Sequence, residues 1–222
     1  MNCYIIHKTS DPPAWDFDWD GAAWSRAQTA TVNHPAAPLE GPAPFVQARL
    51  LHDGAKLHGL FRVQDHSVLA RQTAYNSWTC FDSCVEFFFR PRPDGGYFNL
   101  EMSATGAHLL YYVRDWTPVG DYYADFTAIP EPDGRRFESR SSLDAPVPEE
   151  RPGDRTWFVQ FQIPIDVAEK YCGSLGELAG QRWTGNFYKC GDHLKHPHWL
   201  AWSPVSALNF HLPECFGTLI LE

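Results

Sequence analysis

Residues 84–90 and 97–103, CVEFFFR and YFNLEMS, are two runs of strand-forming side chains joined by PRPDGG, a loop rich in proline and glycine. A β-hairpin is the structure this pattern allows, and it sorts the side chains by alternation. Val85, Phe87 and Phe89 share one face with Phe98, Leu100 and Met102, which is the face expected to form the core. Glu86, Phe88 and Arg90, with Tyr97, Asn99, Glu101 and Ser103, take the other face, expected to be wet. If Arg90 pairs with Tyr97, Glu86 stands directly opposite Glu101. Like charges at that spacing repel unless something holds them.

Other strands are expected before and after this hairpin. Val46 to Asp53 turns at Asp53-Gly54 into Lys56 to Asp65, where Leu57, Gly59, Phe61 and Val63 alternate with mixed neighbours. His108 to Arg114 reads as a strand, and Trp157 to Pro164 alternates with Trp157, Val159, Phe161 and Ile163 inward. Arg182 to Cys190 and the closing FGTLIL complete the set, with Arg135 to Ser142 as a possible edge strand. Residues 31–45 and 130–155, rich in proline, read as loop, and Ile165 to Ala179 is the best helix candidate. Many strands, little helix and no βαβ alternation predict an all-β fold: one antiparallel β-sandwich over 1–222, jelly-roll or immunoglobulin-like, with one or two short helices at most.

Composition narrows the function. Of 222 residues, 44% are hydrophobic and 15% aromatic, and nine Trp with nine Tyr exceed what a core needs, so some rings are expected to face a ligand. A net charge of −9 argues against nucleic-acid partners and anionic membrane surfaces, which are held by clustered Lys and Arg. No run is long and apolar enough to serve as a leader or a membrane span. The six cysteines lack CxxC spacing and read as free thiols. The chain as given is therefore expected to be cytoplasmic, or secreted if a leader has been removed.

Three groups of residues are candidates for chemistry. Tyr75, Asn76 and Trp78 fall on a loop before the central strand, where aromatics beside amides suit a flat polyhydroxylated ligand; Trp78 could equally plug the end of the sandwich. The Glu86–Glu101 pair could hydrogen-bond a ligand or hold calcium, whose oxygen ligands offset their repulsion. It could also hydrolyse a glycosidic bond, since retaining glycosidases keep their carboxyls roughly 5 Å apart. His193, His196, His198 and His211, or Met102 with a histidine, could bind a metal or haem; His196 and His198 flank Pro197 and could point the same way. DFDWDG, Asp16 to Gly21, opens like an EF-hand loop, but Ala27 occupies the bidentate position, so a turn leading into the stretch 22–30 is the simpler reading.

The order of DG-x2-W (Asp20 to Trp24), KLHGLFRVQD, Asp82 to Glu86, Gln162 to Pro164, Asn-Phe-Tyr, Ala201 to Pro204 and Phe216 to Leu219 resembles family 9 carbohydrate-binding modules over nearly the whole chain. The resemblance implies a β-sandwich, related to other sugar- and haem-binding sandwich domains, that grips a mono- or oligosaccharide between two aromatic rings. It permits structural calcium, and it implies association with a xylan- or cellulose-degrading glycanase. Carried over, one ring falls near Trp78 and the sugar-binding carboxylate on Glu86, with Asn99 and Glu101 where the family presents Arg and Asn. The second ring lands on Phe210 where well-known members have Trp, and Trp199 is the candidate to supply the missing plate.

Overall fold

The computed structural model describes residues 2–222. Among them the strands are, in chain order, β1 Cys3–Lys8, β2 Thr29–Thr31, β3 His34–Pro35, β4 Phe45–His52, β5 Lys56–Ala70, β6 Cys84–Arg90, β7 Tyr97–Ser103, β8 His108–Val119, β9 Tyr122–Ala128, β10 Glu138–Ser141, β11 Val147–Pro164, β12 Arg182–Cys190, β13 Trp199–Ala201 and β14 Gly217–Leu221. The helices are short: α1 is Glu131–Gly134 and α2 is Ile165–Cys172.

The strands form a β-sandwich. One sheet runs β9-β8-β7-β6-β12-β14, and the other runs β10-β11-β5-β4 with β2 on β4. Strand β1 joins them: Cys3 to Ile6 pair with β14, and His7 and Lys8 pair with β4. Both pairings are parallel, whereas the other ladders are antiparallel. A strand reached by no hairpin is free to run either way.

The core lies between the sheets and follows the predicted alternation. Val85, Phe87, Phe89, Phe98, Leu100 and Met102 face Trp157, Val159, Phe161 and Ile163, all essentially inaccessible. Phe87 stacks on Phe187 with ring centroids 5.0 Å apart, and Phe61 stacks on Phe161 at 6.0 Å. Gly59 interrupts the apolar run of β5 because a Cβ there would fall 2.0 Å from the Phe161 ring.

Several expectations change. The outer face of β6 and β7 is not wet, because distant segments cover it: Phe210 and Phe216 pack there with Tyr188, Tyr97 and Phe88, and Trp116, Tyr123 and Phe126 lean on the same cluster. Residues 116–128 form the arms of the β8–β9 hairpin, turning at Gly120. Residues 147–155 pair with β5 instead of forming loop, and the ladder shifts register twice, on either side of Pro152, a residue that cannot donate to a ladder. The predicted helix stops at Cys172 because Gly173 adopts a left-handed φ of 81°.

Candidate functional site

Covering the outer face of β6, β7 and β12 leaves a cleft of about 470 Å³. Its floor holds Glu86, Glu101 and Cys190; its walls include Trp78, Trp116, Tyr122, Tyr123, Trp199 and Phe210. Strand register builds the floor. Glu86 pairs with Glu101 across β6–β7 as predicted, and with Tyr188 across β6–β12.

What holds the two glutamates is a set of donors unevenly divided between them. Asn99 Nδ2 donates to Glu101 Oε1 at 3.0 Å, and the Thr79 hydroxyl donates to Oε2 at 3.2 Å. The Cys190 thiol donates to Glu86 Oε1 at 3.1 Å, and it is the only donor Glu86 has among the described residues. Both side chains are almost inaccessible, at 3% and 7% exposure. Burial first, and then the neighbouring Glu101, push the Glu86 carboxyl well above its usual range. Burial raises Glu101 to about 7 against the lowering effect of its two donors. The pair therefore gives up its protons less readily than isolated carboxylates do, and a cation placed against it favours the ionised forms.

The rims are aromatic and already ordered. Trp78 is 38% exposed and stacks on Phe81 at 5.9 Å, with Tyr122 against it at 5.7 Å. Phe81 in turn stacks on His193 at 4.1 Å. Across the cleft, Phe210 lies flat on Tyr188 at 4.0 Å, and the Trp199 indole donates to Asp192 at 2.8 Å. His211 is clamped between the hydroxyls of Tyr97 and Tyr123, at 2.9 and 2.8 Å, and burial lowers it to about 3. A neutral imidazole fits that setting, with one nitrogen donating and the other accepting.

The structure thus gathers Trp78, Glu86, Glu101, Trp199 and Phe210 around one cleft. Asn99 is fully buried and reaches the site only by holding Glu101. Tyr75 leaves the candidate site. Its hydroxyl donates to the Ile129 carbonyl at 2.6 Å, and it lines a separate cavity of about 650 Å³ with His108 and Arg135. Asn76 is also structural, its side-chain oxygen accepting from the Leu110 N–H. Sequence reasoning assigned no ligand role to Trp116, Tyr122, Tyr123, Cys190 or Asp192; the density of rings between 116 and 126 was the available signal.

The metal and haem expectations do not match the geometry. His198 is buried against the Lys189 ammonium at 2.7 Å while His196 is exposed, so the two do not chelate. His211 is engaged by its tyrosines, and Met102 faces the core. Calcium does not fit the glutamate pair: beside the two carboxyls stand a thiol and aromatic rings, and a calcium ion needs six to eight oxygens. In the EF-like stretch, Asp16 caps the N–H of Asp18, while Trp19 packs beneath the guanidinium groups of Arg49 and Arg62. Among the described residues one trio, Cys84, Glu86 and Cys190, brings ligand-type atoms within 4.8 Å of one another. Its thiols are held neutral: burial raises Cys84 to about 11, and the hydrogen bond with Cys84, together with burial, raises Cys190 further.

Residues 20–221 match the sequence model of carbohydrate-binding family 9. A crystal structure of a Bacteroides uniformis protein, suggested to bind carbohydrate, superposes with a TM-score of 0.84 at 28% identity over 99% of both chains. A family 9 carbohydrate-binding module from Caldicellulosiruptor kristjanssonii, solved with glucose, gives a TM-score of 0.60 at 16% identity, covering 98% of this chain and 95% of that one. A structure of a family 9 module from the same organism, solved with cellotriose, gives 0.60 at 15% identity over 100% and 94%. At those identities the Caldicellulosiruptor structures establish the shared fold. No curated protein matches the chain.

Proposed function

This chain belongs to carbohydrate-binding family 9, and we propose that it is a non-catalytic module holding a mono- or oligosaccharide in the cleft above Glu86 and Glu101. The observation that carries this reading is the pairing of an exposed, pre-stacked ring, Trp78, with deeply buried carboxyls on one concave surface. A sugar has apolar C–H faces and a rim of hydroxyls. Aromatic plates cover the first, and in-plane acceptors satisfy the second. Trp78 and Trp199 offer the plates, with Phe210 as a smaller one, while Glu86, Glu101 and Asp192 accept from hydroxyls. Because Trp78 already rests on Phe81 and Tyr122, little side-chain entropy is lost when a sugar stacks on it.

Isothermal titration calorimetry against mono- and disaccharides and xylan and cellulose fragments, with and without calcium, tests this reading. Trp78→Ala is expected to lower affinity at least tenfold, about 1.4 kcal/mol, while leaving the thermal midpoint nearly unchanged. Unchanged affinity would remove Trp78 from the site. Release of reducing sugar, abolished in Glu86→Gln, would replace the binding reading with a hydrolytic one.

A further inference from the structure

The charge lining the cleft is one-sided. Glu86, Glu101, Asp121 and Asp192 line it, and among the described residues no lysine or arginine does. Three cations of the surrounding strands and loops are committed elsewhere. Arg90 stacks on Trp116 at 5.5 Å and donates to the carbonyls of Pro93 and Gly95. Arg71 pairs with Asp82, and Lys189, fully buried, bonds His198 and pairs with Asp65. His211, the imidazole lining the cleft, stays neutral.

Within that lining Glu86 is under-satisfied. It is 3% exposed, it lines the cleft, and its one donor is a thiol, the weakest of the side-chain donors. Buried carboxyls without an amide, backbone N–H or cation are costly and rare. The cleft that Glu86 lines is open to a further donor. Around the same space stand the rings of Trp78, Trp116, Tyr122 and Trp199, whose π faces attract cations. A neutral sugar would leave the acidic lining without a counter-charge, and an acidic sugar would meet four carboxyl groups.

We propose that the ligand is an amino sugar with a free, protonated amine, a hexosamine whose ammonium is received at Glu86 and Glu101 while its ring lies on Trp78. The ammonium brings a positive charge and three donors to a cleft whose acidic side chains face no lysine or arginine. An N-acetylated or unsubstituted hexose of the same size brings donors in its hydroxyls or amide but no charge. This inference rests on the carbohydrate reading above.

Calorimetry at pH 7 and fixed ionic strength, on protein freed of metal with EDTA, separates the two. D-glucosamine, D-glucose, N-acetyl-D-glucosamine and choline serve as probes. Glucosamine is expected to bind at least tenfold more tightly than glucose or N-acetylglucosamine, and Glu101→Gln is expected to shrink that margin without abolishing folding, as checked by the thermal midpoint. Glucose binding as tightly as glucosamine, with the affinity lost in Trp78→Ala, would overturn the amine inference and leave the carbohydrate reading standing. Choline binding as tightly as glucosamine would overturn it differently, since the site would then read an ammonium without a sugar. Absence of heat with every probe would overturn both.

Discussion

Strands β6, β7 and β12 present two faces that are equally buried and chemically opposite. The inner one is a stack of phenylalanines and aliphatic side chains closed by the second sheet. The outer one carries Glu86, Asn99 and Glu101 among Phe88, Tyr97, Tyr188 and Cys190, and is closed by loops and by the β8–β9 hairpin. Burial on the inner face stabilises the fold through apolar area. Burial on the outer face costs stability, because it strips water from carboxyls that receive few donors. A sheet that tolerates this on one side only is retaining polar groups there for something other than stability.

The sharpest break between the faces should come from a cavity in the inner one. Phe87 is inaccessible and packs against Phe89, Phe187 and Phe161 at 5.2, 5.0 and 6.1 Å. Phe87→Ala is expected to lower unfolding free energy by about 3–5 kcal/mol in denaturant titrations. Ligand affinity of the remaining folded protein should stay within about twofold. A large loss of affinity would mean that the faces are mechanically coupled and that their division of labour is wrong.

The outer face should respond with the opposite sign. Glu101 titrates near 7 in the folded chain and near the ordinary 4.5 when unfolded, and Glu86 is displaced in the same direction. Between those values the folded state binds more protons than the unfolded state, so stability falls as pH rises through the window. Glu101→Gln, which stays neutral, should therefore raise the thermal midpoint at pH 8 by roughly 5 °C, on the order of 2 kcal/mol, and change it little at pH 4. An equal effect at both pH values would show that the carboxyl is not buried at a cost.

How far these two faces could be read in advance depends on the range of the contacts involved. Period-two alternation placed Phe87 inward and set Glu86 opposite Glu101, because both depend only on a hairpin and its register. The cover of the outer face depends on residues such as Phe210, His211 and Tyr123. They reach β6 and β7 across long stretches of chain, and no local pattern encodes that approach. The same holds for Cys190, whose thiol meets Glu86 from a strand about a hundred residues away. Asp192 becomes a wall of the cleft through its N–H bond to the Cys80 carbonyl and its carboxyl's bond to Trp199.

Tyr75 shows how an exposed-looking aromatic on the right loop can belong to neither face. It sits three residues before Trp78, yet its ring wedges over Gly134, where a Cβ would fall 1.9 Å from the hydroxyl oxygen. There it packs edge-on to His108 at 5.2 Å. The left-handed backbone of Asn76 at φ 55°, anchored by Leu110, turns the chain between the two rings, so that Trp78 goes to the cleft and Tyr75 to the other cavity. Tyr75→Phe removes one hydrogen bond, to the Ile129 carbonyl, and keeps the packing. It should cost about 1 kcal/mol of stability and leave sugar affinity unchanged in the same calorimetric assay. A tenfold loss of affinity from so small a change would place the second cavity in communication with the cleft and would extend the binding surface around the end of the sandwich.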